Sequence, residues 1–150
     1  MATEGMVHAL RRVRQLVRST GLVIDVHPTP EPAWVEIGEQ RAGPVEAGDA
    51  PSRHAAADAA LKTALNDGVF TVADRGEFEF FTYADSIEEL NDHIRQTWRS
   101  GRIEEPVVER ARAALRGSPG TRPRVCEHVR WSRLRPAAAG WDDSRRKERH

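Results

Sequence analysis

Gln15-Leu-Val-Arg-Ser-Thr-Gly-Leu-Val-Ile-Asp-Val-His27 is the stretch whose reading decides the fold. Just upstream, Met6, Leu10, Val13 and Leu16/Val17 recur at the three-and-four spacing of one buried helical stripe. Arg11, Arg12, Arg14 and Arg18 lie mostly outside that stripe, and Arg18 complements the negative end of the helix dipole. Gly21 ends the helix, because glycine takes the left-handed conformation without a Cβ penalty. Leu22 to His27 is nearly continuous in Leu, Val and Ile, which predicts a strand covered on both faces, as in parallel sheets. Asp25 is the exception. A helix feeding a buried strand belongs in the middle of a wound α/β domain.

Downstream, Pro28, Pro30 and Pro32 forbid helix and regular pairing and predict an exposed, extended turn. Trp34 to Ile37 reads as a short strand, and Arg41 to Asp49 as a loop. A second helix opens at Pro51-Ser52 with a narrow face of Ala56, Ala57, Ala60, Leu61, Ala64 and Leu65, and stops at Asn66-Asp-Gly68. Val69 to Val72 and Glu77 to Tyr83 read as strand, with Ala73 to Gly76 as a hairpin turn or an interruption. Ser86-Ile-Glu-Glu89 is a capping box, in which the hydroxyl and carboxylate satisfy free amides at a helix start. Ile87, Leu90, Ile94 and Trp98 give that third helix its buried stripe. Pro106 suits a first helical turn, and Val107, Val108, Ala111 and Leu115 carry a fourth helix. Arg124 to Leu134 is a strand with Val125, Val129 and Trp131 on one side and Cys126, His128 and Arg130 on the other.

The whole is predicted to be α/β. Residues 1–135 form one domain, and residues 136–150 form a disordered charged tail. Lys+Arg and Asp+Glu balance at 23 each, so no net field steers the protein toward nucleic acid or an anionic membrane. The apolar runs are too short to span a bilayer. Met1 to Gly5 does not read as a secretory leader, which makes a cytoplasmic protein the simplest expectation. A single cysteine, Cys126, excludes an intrachain disulfide and any site of several thiolates. The six histidines show no His-x-x-x-His helical pair, so no metal site is expected.

The element order, and above all Gln15 to Val26, resembles the C-terminal half of a class I S-adenosylmethionine-dependent methyltransferase. Thr20-Gly21 stands where that family usually has a Gly-Gly pair. The resemblance implies a partial Rossmann-like mixed sheet with about four helices, lacking the N-terminal cofactor-binding strands. Leu22 to His27 would be the family's fifth strand and Gly68 to Val72 its sixth. Val125 to Leu134 would be the last, antiparallel strand slotted between them. The helices between Ser86 and Gly117 would be an insertion near the substrate side. The family's cofactor is S-adenosylmethionine, held by a glycine-rich loop after the first strand. This sequence holds no Gly-x-Gly-x-Gly, so no cofactor-contacting residue is carried over and the chain alone is not expected to bind it.

Asp25 and His27 share one side of the first strand at its carboxyl end, the edge where wound α/β sheets bind ligands. His27 is the candidate general base, its pKa range lying near neutrality. The plainer reading is that Asp25 accepts backbone hydrogen bonds and His27 caps the turn. His54, near a helix start, is a candidate substrate contact or an exposed polar residue. Tyr83 and Trp98 are candidate walls of a substrate pocket, against core packing for Trp98. Cys126 and His128 share a strand face, but neighbours two apart on a strand are about 7 Å apart, too far for a nucleophilic pair.

Two functions follow from this reading. The first is a substrate-side methyltransferase-like fragment acting on an unidentified small molecule, inactive without its cofactor-binding half. The second is a non-enzymatic module that binds a second protein chain, or itself, through its first helix and strand.

Overall fold

A computed structural model of the chain describes residues 3–138. Among the described residues the protein is mixed α/β, with four helices and an open five-stranded antiparallel sheet. The elements are α1 (Thr3–Leu16), β1 (Val23–Pro28), β2 (Trp34–Ile37), β3 (Gln40–Pro44), α2 (Ala50–Asn66), β4 (Phe70–Tyr83), α3 (Ile87–Thr97), α4 (Glu105–Arg116) and β5 (Pro123–Pro136). The strand order is β1-β5-β2-β3, and β4 also pairs with β5. Among the described residues β1 has β5 as its one strand neighbour. No helix among them is long and apolar enough to cross a membrane. The tail expected from Pro136 onward falls, from residue 139, outside the described residues.

The chain divides into two compact units. The first comprises residues 3–26, 56–76 and 131–138 of the described chain. Its core is Leu61, Ala64, Val69, Phe70 and Leu134, with Leu10, Val13, Val23 and Leu65 packed around it. The α1 stripe packs in part as its spacing predicts: Leu10 and Val13 meet the core, Leu16 is left 84% exposed, and the buried residue of the helix is Val7, outside the stripe. An Arg11–Asp67 ion pair at 2.8 Å ties α1 to the residue just past α2. Gly68, in the left-handed conformation (φ 71°), follows.

The expectation that Leu22 to His27 is covered on both faces is corrected. Exposure alternates along β1: Leu22, Ile24 and Val26 are each about half exposed (49%, 55% and 54%), while Val23 and Asp25 are less so. With β5 as the one strand neighbour of β1 among the described residues, the apolar row stays about half exposed. The turn expected at Ala73 to Gly76 is also absent, because β4 runs unbroken from Phe70 to Tyr83. A Cβ on Gly76 would stand 2.8 Å from Nε1 of Trp131. The glycine admits a cross-strand indole rather than reversing the chain.

The second unit comprises residues 27–55 and 77–130. Its core joins Val35, Ile37, Ala42 and Val45 to Ile87, Leu90 and Ile94 of α3, Val107, Val108 and Ala111 of α4, and Val125 of β5. The capping box forms: Ser86 Oγ accepts from the Glu89 amide at 3.1 Å, and the Glu89 carboxylate accepts from the Asp85 amide at 2.7 Å. Where the sequence suggests a loop from Arg41, the chain forms β3, paired with β2 from Ile37↔Gln40 to Trp34↔Pro44. Gly38 (φ 60°) occupies the first central position of that two-residue hairpin, where glycine is favoured. Gly43 lets α4 approach closely, since a Cβ there would meet Val107 Cγ2 at 2.6 Å. Arg110 Nε donates to the Ala42 carbonyl at 2.5 Å beside it.

Candidate functional site

A cavity of about 330 Å³ lies within the second unit. Four segments build it: Pro28 to Ala33 after β1, Ala47 to His54 at the start of α2, Thr97 to Arg99 at the end of α3, and Glu127–His128 of β5. Its volume is at the lower end of the small-molecule range.

Each wall is held by identifiable bonds. The prolines at 28, 30 and 32 keep the first segment out of helix. It is only in part the exposed turn expected: Glu31 and Pro32 are exposed, but the Thr29 amide donates to the His128 carbonyl at 2.8 Å and Thr29 is 4% exposed. The third wall is set by Asn91, whose side-chain oxygen accepts from the Ile103 amide at 2.9 Å while its nitrogen donates to the Ile103 carbonyl at 3.3 Å. The Trp98 amide donates to the Ile94 carbonyl at 2.9 Å and closes α3. The second wall begins where Gly48 (φ 57°) turns the chain into α2, and Arg53 pairs with Asp49 at 3.3 Å.

Two predicted substrate residues, His54 and Trp98, meet here, and both are half-buried. Trp98 lines the cavity and also packs against the core. His27 is half-buried at the carboxyl end of β1, next to the lining residue Pro28, and does not itself line the cavity. Asp25 lies two residues back on the same side of the strand, also outside the lining.

Tyr83 stands elsewhere, 49% exposed at the end of β4. Its hydroxyl accepts from Arg124 Nη1 at 3.1 Å. Arg124 lies 4.1 Å over the Phe81 ring and pairs with the largely buried Glu36 at 3.0 Å. This arginine–aromatic cluster explains Tyr83 without a substrate.

Two lining residues escaped sequence reasoning. The Thr29 hydroxyl is buried with no hydrogen-bond partner in the protein, a state that a bound polar molecule or water relieves. Glu127 has its carboxyl pKa raised by burial. The sequence did carry a signal for it: Glu127 interrupts the apolar alternation of Val125 and Val129. The folded chain holds this proton more tightly than the unfolded one. The stability linked to it is full at acid pH and is lost as pH rises through the raised pKa. Glu127→Gln is therefore expected to raise Tm by roughly 2 °C at pH 8 and to leave it unchanged at pH 4, read by circular dichroism.

Cys126 is fully buried, and burial, reinforced by the Glu36 and Glu79 carboxylates, raises its thiol pKa. That is the opposite of an activated nucleophile. The Cys126 sulfur nonetheless stands closer to neighbouring ligand atoms than the strand rise alone implies. One ligand atom from each of Cys126, His128 and Glu79 lies within 4.8 Å of the others.

No protein-family model, curated protein or solved structure matches this chain.

Proposed function

We propose that the chain supplies the substrate-side portion of a class I S-adenosylmethionine-dependent methyltransferase-like protein. On this reading it is a partial Rossmann-like sheet whose cofactor-binding strands are outside the sequence. The observation that carries the reading is the pairing of β5 with both β1 and β4. In that family the last strand runs antiparallel between the fifth and the sixth. Here β1 and β4, each antiparallel to β5, point the same way. The β2–β3 hairpin is extra to that pattern.

Two further features support it. β1 ends the strand order and leaves Leu22, Ile24 and Val26 half exposed, an edge suited to a further strand and its covering helix. The cavity adjoins the carboxyl end of β1, the end at which wound α/β sheets take ligands. The methyl acceptor would be a small molecule lodged against His54 and Trp98, with the Thr29 hydroxyl as a hydrogen-bonding group. His27, beside the lining residue Pro28 but outside the lining, would take the acceptor's proton through one intervening water, and the fold's task is positioning. S-adenosylmethionine would be held by the missing half, so the chain alone would be inactive.

The exposed row on β1 also favours a second reading, a non-enzymatic module that self-associates through α1 and β1. Sedimentation equilibrium separates the two. A homodimer at micromolar concentration supports the module. A monomer that combines with a glycine-rich βαβ polypeptide encoded beside it supports the split enzyme.

A further inference from the structure

We propose that Glu79, Cys126 and His128 form a binding site for one divalent transition metal ion of the zinc type. This inference stands independently of the methyltransferase reading. Cys126 and His128 occupy alternate positions of β5 and so share a face, and Glu79 comes from β4, which pairs with β5. One thiol sulfur, one imidazole nitrogen and one carboxylate oxygen converge to within 4.8 Å of one another. Around tetrahedral zinc, ligand atoms sit about 3.5 Å apart, as bonds of about 2.0–2.3 Å require. Glu79 is exposed and His128 half-buried, so these two side chains are the ones with room to turn toward the buried Cys126 sulfur.

The donor set selects the ion. A thiolate with an imidazole favours zinc and its neighbours and disfavours magnesium and calcium, which take oxygen ligands. One thiolate and one carboxylate balance a divalent charge. The nearby Glu36 carboxylate is already engaged by Arg124 at 3.0 Å and Arg41 at 3.6 Å, so it is not available as a fourth ligand. Three protein ligands leave one position for water, the composition of zinc sites open to an exogenous ligand.

Titration calorimetry of Zn²⁺ into the full chain, stripped with chelator, tests the proposal. One ion per chain is expected, with affinity falling about 100-fold or more in His128→Ala and about tenfold in Glu79→Gln. Both positions lie outside the fully buried core, so both variants should keep the wild-type circular dichroism. Cobalt loading gives an independent readout: the wild type should show a thiolate-to-cobalt charge-transfer band, absent from Cys126→Ser. The absence of saturable one-to-one binding would overturn the proposal. So would affinity unchanged by His128→Ala, or a cobalt complex with no thiolate band.

Discussion

An Ile24→Lys chain is expected to fold as the wild type does and to weaken the assembly proposed for β1 by at least about 100-fold. Ile24 is 55% exposed in the isolated chain, in a row with Leu22 and Val26. A lysine there meets water and costs little, as surface substitutions do. Against a covering partner the balance reverses. Burying the remaining half of an isoleucine is worth on the order of 1 kcal/mol, and a lysine charge carried into an apolar interface costs several more. A loss of about 2.7 kcal/mol already corresponds to about 100-fold in affinity. On the proposed split-enzyme reading, sedimentation of a mixture with a glycine-rich βαβ polypeptide reads the assembly, and a thermal melt of the lone chain reads the fold. Full assembly by Ile24→Lys would show that this face of β1 is not the contact.

Leu90→Ala has the largest expected effect on stability. Leu90 is fully buried on α3, within the cluster that includes Ile87, Ile94 and Val35. Truncation removes about three methylene-sized groups and leaves a cavity that the surrounding helices and strands fill only in part. The expected cost is about 3 kcal/mol, or roughly 10 °C in Tm. The same helix carries Trp98 at its end, so small-molecule binding in the cavity should weaken with the fold. Calorimetric melting checks the first effect. A Tm within 2 °C of wild type, well short of the expected drop, would mean that α3 is not the core element described here.

The elements legible in the sequence were those governed by local patterns. The stripe of Ile87, Leu90 and Ile94 and the Ser86–Glu89 box fix α3 because both are repeats within one helix. The alternation of Val125 and Val129 fixes β5 in the same way. What escaped depended on contacts distant in sequence. Gly76 looks like a turn residue until Trp131 is placed across from it. Arg41 to Pro44, read as the start of a loop, becomes strand because β2 and α4 pack against it. Leu22 to His27 looks buried on both faces because hydrophobicity alone does not say whether a covering element is present. The candidate site was legible in part. His54 and Trp98 share a cavity, whereas Tyr83 is held by Arg124, and Thr29 carried no signal between its prolines.

Calorimetric titration with S-adenosylmethionine decides whether the chain is the substrate-side portion of a methyltransferase-like protein. The titration is made on the lone chain and on the chain co-expressed with a polypeptide that supplies a glycine-rich βαβ half. No binding heat is expected for the chain alone, and saturable one-to-one binding for the pair. Tight binding by the lone chain, or none by the pair, would contradict that reading.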